Sequence, residues 1–232
     1  MSAPSSTHRT IAHENRPSND RHRLRIVGAG LGRTGTDALK IALEALLGGS
    51  CYDVSELLPR AGDLAVWRAA LWKEPVDWKL LLDGYTATIG WPAASFWNEI
   101  LAAHAGAFVL LSSRDPDEWW TSIERTVVPL LMHADPAAGD AFNARRELLR
   151  ALLRSRLTPD WLDREAATKA YERHNARVRA EVPPAQLIDW HAGDGWGPIC
   201  AALELPVPDL EFPREDSVAD FRAKLAGGPG DA

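Results

Sequence analysis

The run Leu24-Arg-Ile-Val-Gly-Ala-Gly-Leu-Gly-Arg-Thr-Gly-Thr-Asp-Ala-Leu39 sets Gly28, Gly30, Gly32 and Gly35 around Arg33 and Thr34, between two apolar stretches. Leu24 to Val27 reads as a short buried strand. From Thr34 or Thr36 onward, apolar residues recur with helical spacing, from Ala38 and Leu39 to Leu46 and Leu47. A strand, a glycine-rich turn and a helix start aim several backbone N–H groups and the positive end of a helix dipole at one spot. Such a spot suits a phosphate, and Arg33 adds a planar, permanently charged fork at its mouth. Asp53 and Glu56 form a second group, near the carboxyl end of a short strand over Cys51 to Val54. In an open parallel sheet that edge is where ligands sit. From the residues alone either acid is a cap of the next helix or a base or substrate-binding acid.

Three phosphate-binding patterns compete for the loop. The ATP-type pattern Gly-x4-Gly-Lys-Ser/Thr matches Gly30 and Gly35, but Thr36 stands where the lysine belongs and Asp37 where the magnesium-binding hydroxyl belongs. That argues against an ATPase or ordinary kinase. The dinucleotide fingerprint Gly-x-Gly-x-x-Gly, begun directly after the strand, puts Arg33 at the third glycine, too bulky for close helix–strand packing. Its out-of-frame match at Gly30, Gly32 and Gly35, with Asp53 as ribose-binding acid, keeps an NAD(P)-dependent Rossmann enzyme as an alternative. The third pattern, Arg/Lys-Ser/Thr-Gly-Thr, is met by Arg33-Thr34-Gly35-Thr36.

That third pattern is the 5′-phosphosulfate loop of sulfotransferases, and the chain resembles the P-loop sulfotransferase superfamily through motifs spread over about residues 24 to 221. They are Leu31-Gly-Arg-Thr-Gly-Thr36, Cys51-Tyr52, Asp77-Trp78, Leu81-Leu-Asp-Gly-Tyr85, Trp91-Pro92, Arg114-Asp-Pro-Asp-Glu-Trp119, Gly195-Trp196, Pro206-Val-Pro208 and Phe212-Pro213. The resemblance implies 3′-phosphoadenosine 5′-phosphosulfate as co-substrate, no metal, and a hydroxyl or amine of a small molecule as acceptor. It assigns Gly32, Arg33, Thr34, Gly35 and Thr36 to the 5′ end of the nucleotide. Arg114 and Ser122, 122 − 114 = 8 residues apart, match the 3′-phosphate motif. There the arginine supplies a bidentate cation and the serine an aligned hydroxyl. The chain departs from its relatives at the base position, which is Gly90, and at Thr36-Asp37-Ala38, where cytosolic members carry the adenine-stacking tryptophan. Arg33 replaces a lysine, keeping the charge but unable to pass on a proton. Related sequences tend to carry His where Asp53 stands. The resemblance therefore leaves Asp53 or Glu56 as base, or else a protein that binds the nucleotide without efficient turnover.

The elements that must position these residues alternate between strand and helix. Strands are expected at 24–27, 51–54, 85–89, 108–111 and 186–190. Helices are expected from the loop to Gly48-Gly49, within 56–85, from Pro92 to about Ala103, and from Asp115-Pro116. Further helices are expected at 135–156, from Thr158 to about Val182, at 195–203 and near 218–225. Alternation of this kind argues a mostly parallel sheet covered on both faces. The expectation is an α/β, three-layer P-loop fold of the nucleoside-triphosphate-hydrolase-like kind, with about five strands. Residues 24–225 form its single domain, 1–23 a disordered tail carrying His8, His13 and His22, and 226–232 a frayed end. Arg146, Arg150 and Arg154 share one helix face, either a solvated face paired with acids or a holder of an anionic acceptor.

Composition narrows the partners. The chain has 232 residues, 46% hydrophobic and 25% charged, enough for a real core. Its net charge of −6 disfavours nucleic acid and acidic membrane surfaces. No apolar run approaches the roughly 18 residues of a membrane span. The first 23 residues lack the apolar core of a secretory signal. Cys51 and Cys200 give neither a disulfide framework nor metal-ligand spacing, so a cytoplasmic protein is expected, with its oligomeric state open. Of ten tryptophans, Trp91, Trp119 and Trp120 fall near the presumed pocket, as walls for an apolar or aromatic acceptor or as core.

Overall fold

The computed structural model describes residues 23–132 and 139–213, and in them the chain alternates strand and helix around one sheet. The strands are β1 (Ile26–Gly28), β2 (Ser50–Tyr52), β3 (Tyr85–Thr88), β4 (Phe108–Ser113) and β5 (Leu187–His191). The helices are α1 (Thr36–Leu47), α2 (Ala61–Leu71), α3 (Trp78–Leu81), α4 (Trp97–Ala103), α5 (Pro116–Met132), α6 (Asp140–Leu152), α7 (Arg164–Glu181) and α8 (Gly197–Leu203). All five strands are parallel, in the order β2-β3-β1-β4-β5, with Ile26 opposite Ala87 and Val27 opposite Val109.

Strand residues alternate between two cores, as the pleat requires. Val27, Tyr52, Val109 and Leu111 pack under α2, α4, α5, α6 and α7, while Ile26, Cys51, Leu110 and Ile188 pack under α1 and α8. The three-layer α/β P-loop fold of about five strands is therefore present. The strand order also answers the Rossmann alternative. In that fold β1 pairs with β2, whereas here β3 lies between them.

Element ends follow local chemistry. The apolar stripe Ala38, Leu39, Ala42, Leu43 and Leu47 buries α1, and Gly48, left-handed at φ 66°, ends it. Pro116 opens α5, and the Asp115 carboxylate accepts from the amides of Asp117 (2.9 Å) and Glu118 (3.1 Å). Two expectations need correction. The long helix begins at Arg164, not Thr158, because the Asp163 carboxylate caps it by accepting from Ala166 N at 2.8 Å. Residues 158–163 form turns instead. The helix expected from Pro92 is a 3-10 turn (Ala93–Phe96) followed by α4. α6 runs into a π-helical turn over Leu153–Leu157. The tail over 1–22, the Asp135-Pro136 start, the helix near 218–225 and the end at 226–232 lie outside the described residues.

Candidate functional site

β1 runs straight into the glycine-rich loop, which is packed too tightly for a side chain at Gly28, Gly30 or Gly32. Gly28 N donates to Thr88 Oγ1 (3.1 Å) and Ala29 N to Leu110 O (2.8 Å). A Cβ on Gly30 would overlap Ser112, and one on Gly32 would stand 2.5 Å from the Trp91 ring. The Thr34 hydroxyl bonds Leu31 O (2.7 Å) and Ser112 (2.6 Å), so its side chain serves the loop. Arg33 (φ 73°) and Gly35 (φ 81°) are both left-handed. Two left-handed residues turn successive amides inward, and those of Thr34, Gly35 and Thr36 donate to no described group. The α1 helix dipole begins at the same point.

Arg33 is buried, and its Nε donates to Ser122 Oγ at 3.0 Å while Nη1 lies 3.6 Å from Asp37. Arg114, at the exit of β4, donates from Nη1 to the Arg33 carbonyl (3.4 Å) and from Nη2 to Glu118 (3.1 Å). Its Nε is buried without a partner. The loop residues and the pair Arg114 and Ser122 are thus in direct contact at the carboxyl edge of the sheet. Ser122 stands with Arg33 rather than with Arg114. Main-chain clamps fix this geometry. The Tyr171 hydroxyl accepts from Arg114 N (3.0 Å) and donates to Arg114 O (3.1 Å), and Tyr171 stacks on Trp119 with centroids 4.4 Å apart. Trp119 Nε1 in turn donates to Gly32 O at 3.1 Å. Trp119 and Trp120 are core, while Trp91 is a wall of the site.

Beside the loop lies a cavity whose polar end is Thr36, Asp37 and Asp53 and whose apolar end is Val127, Leu130, Leu131, Leu149 and Leu153. Asp53 is the cap that one of its readings expected, and it also lines the cavity. Its Oδ1 accepts from Ser55 N (3.2 Å), capping the 3-10 turn Val54–Leu57, and from the Ser55 hydroxyl. Oδ1 also accepts from Lys40 Nζ at 2.7 Å, while Oδ2 takes none of these bonds. Lys40 reaches Glu56 at 3.4 Å, and Glu56 also accepts from the Tyr85 hydroxyl at 2.8 Å. Glu56 is not among the cavity walls. Burial opposes the charge on Lys40, but Asp53 and Glu56 outweigh it and hold its pKa above the ordinary value. The residue sequence reading missed is Lys40. Its signal was slight, a lysine one turn along α1 from Thr36 on a mostly apolar helix.

Gly90 lines the cavity with φ +60°, and a Cβ there would meet Thr36 at 3.4 Å. The position where the resemblance expected a base is thus held in a backbone conformation that side chains disfavour. Of the arginine face on α6, Arg146 is buried and donates to the carbonyls of Leu130 (2.9 Å) and Leu131 (3.0 Å) at the end of α5. Arg150 pairs with Glu147 at 3.5 Å on the surface.

Against this geometry, the family model described as "Sulfotransferase domain" matches residues 25–221. The chain is also 27% identical over 208 residues to "Ava biosynthesis cluster protein M" of Aspergillus versicolor, an alignment covering 82% of this chain and 80% of that protein.

Proposed function

The chain belongs to the sulfotransferase-domain family, and from that premise we propose that it transfers a sulfuryl group from 3′-phosphoadenosine 5′-phosphosulfate to a hydroxyl or amine of a small-molecule acceptor. The observation that carries the reading is the meeting of two anion-holding devices at one edge of the sheet. These are the unpaired amides of Thr34, Gly35 and Thr36 at the start of α1, and Arg114 with its unpartnered Nε. An adenosine nucleotide bearing phosphates at both ends suits such a pair, so the residues fit the co-substrate. The similarity to a protein named for a biosynthesis cluster is in keeping with a small acceptor.

The donor supplies an activated sulfur. Its bond to the bridging oxygen breaks as the acceptor oxygen or nitrogen bonds to it, and the acceptor's proton must leave. Positioning and charge stabilisation carry most of such a transfer, as in phosphoryl transfer. The loop amides and the Arg33 guanidinium take up the negative charge that grows on the departing phosphate. Ser122 holds that guanidinium in place. Arg114 grips the remote end and uses its binding energy for alignment. Asp53 receives the proton at Oδ2, since Oδ1 is saturated by Lys40 and Ser55. Thr36 and Asp37 stand at the same end of the cavity, where the acceptor's reacting group enters.

Calorimetric titration with 3′-phosphoadenosine 5′-phosphate tests the reading. Arg33→Ala and Arg114→Ala should each weaken binding by about tenfold or more, the worth of one charge-assisted hydrogen bond. Unchanged affinity in both variants overturns it. The left-handed Gly90 favours a second reading, nucleotide binding without efficient turnover, and donor-dependent labelling of an acceptor decides between the two.

A further inference from the structure

One charged side chain has no role in the site so far. Arg145 on α6 is 0% exposed, and none of its three guanidinium nitrogens has a hydrogen-bond partner among the described residues. Its guanidinium carbon lies 5.3 Å from the centre of the Phe142 ring. A fully buried guanidinium with five unmet donors is strongly unfavourable, because neither water nor an acceptor replaces its hydration. Arg146 next to it shows the ordinary solution, two backbone carbonyls.

The surroundings point to where an acceptor would come from. Arg145, Leu149 and Leu153 follow one another at i, i+4 and i+8, and Leu149 and Leu153 line the cavity beside the loop, while Arg145 is buried one turn behind Leu149 and is not itself a wall. The carboxylate whose charge Arg145 feels is that of Asp53, in the polar end of the same cavity, yet the two form no ion pair. Burial pushes the guanidinium down to about 10, against the pull of Asp53, so it remains charged at neutral pH. Asp53 itself is already engaged by Lys40 at 2.7 Å. A carboxylate arriving with the ligand is the partner this geometry lacks.

We propose that Arg145 forms an anion subsite behind the Leu149 wall of the acceptor cavity, selecting apolar acceptors that carry a carboxylate remote from the hydroxyl or amine to be modified. This rests on the sulfotransferase reading for the hydroxyl or amine end, but the carboxylate end is tested separately. Val127, Leu130, Leu131 and Leu149 clasp the apolar middle, and the planar fork of Arg145 takes both carboxylate oxygens.

The probes are phenylalkanoates from phenylacetate to phenylpentanoate and their methyl esters, titrated into the full chain with and without 3′-phosphoadenosine 5′-phosphate. The wild type should bind at least one acid about tenfold or more tighter than its ester, the worth of a charge-assisted pair. Arg145→Met should bind acid and ester alike, and without ligand it should melt higher than the wild type, since a buried unpaired charge is gone. Arg145→Lys, with charge but no fork, should keep part of the preference. Equal binding of every acid and ester by the wild type, or no binding of either, overturns the subsite. So does a preference that survives Arg145→Met, or a lowered melting temperature in that variant. Nucleotide binding without any acid preference removes this inference and leaves the transferase reading standing. An acid preference without nucleotide binding does the reverse.

Discussion

The two oxygens of Asp53 are unequally used, with Oδ1 taking Lys40 and Ser55 and Oδ2 taking neither, and the residue lines the cavity. Asp53→Asn preserves the size and the cap but removes the proton acceptor. Its turnover should fall by about 10²–10⁴-fold, with nucleotide affinity little changed. Single-turnover assays beside calorimetry read the two effects apart, and an unaltered rate clears Asp53 of the role. The sequence offered cap or base as rivals, and the structure shows that a carboxylate with two oxygens serves as cap while still facing the cavity. Lys40 was not legible because its partners are brought to it by the return of the chain through β2, which spacing along one helix cannot reveal. His174 shows a similar limit. Its ring is half-buried and its Nε2–H donates to Ala29 O at 2.7 Å, at the start of the glycine-rich loop. Burial depresses its pKa below the ordinary histidine value. The unfolded chain therefore binds a proton that the folded one refuses, so stability is full above about pH 6.5 and declines as pH falls below it. Urea unfolding between pH 5 and 7.5 should show that slope, and His174→Gln should flatten it.

The phosphate loop is the element whose form was clearest beforehand, because glycines at fixed offsets between a strand and a helix admit few backbones. What spacing could not say is why each glycine is needed. Gly30 approaches Ser112 on β4 so closely that a methyl group has no room. Gly30→Ala should cost about 1–3 kcal/mol in urea unfolding, the usual penalty of overpacking. It should also weaken nucleotide binding by displacing the loop. The α6 arginines were misleading for a different reason. Helical spacing placed Arg146, Arg150 and Arg154 on one face, but α6 packs closely beside the end of α5, and Arg146 answers the carbonyls there while Arg145 is buried. Periodicity gives the face and not the neighbour. The start of α7 slipped because Thr158-Pro159 and Asp163 are both capping patterns, and only the second is followed by an uninterrupted turn.

For the molecule as a whole, alternation of elements was enough to give a covered parallel sheet, yet not its strand order. The order β2-β3-β1-β4-β5 puts β3 beside the phosphate strand, which separates this architecture from dinucleotide-binding enzymes that share a glycine-rich first turn. Reduced nicotinamide cofactor should accordingly keep its free fluorescence when the protein is added, and an enhancement would contradict the assignment. A last consequence concerns the far end of the described chain. Phe212 lies 5.7 Å from the ring of Trp190, and Trp190 in turn is the surface that a Cβ on Gly35 would meet at 3.1 Å. Trp196 braces the same segment, with its indole N–H on Leu210 O at 2.8 Å and its ring edge against Phe212 at 4.9 Å. The hinge of the glycine-rich loop thus leans on an aromatic stack whose outermost member is one of the last described residues. A chain cut short before Phe212 should still assemble its sheet but hold nucleotide more loosely, so the carboxyl-terminal strap is a remote support of the ligand rather than trim.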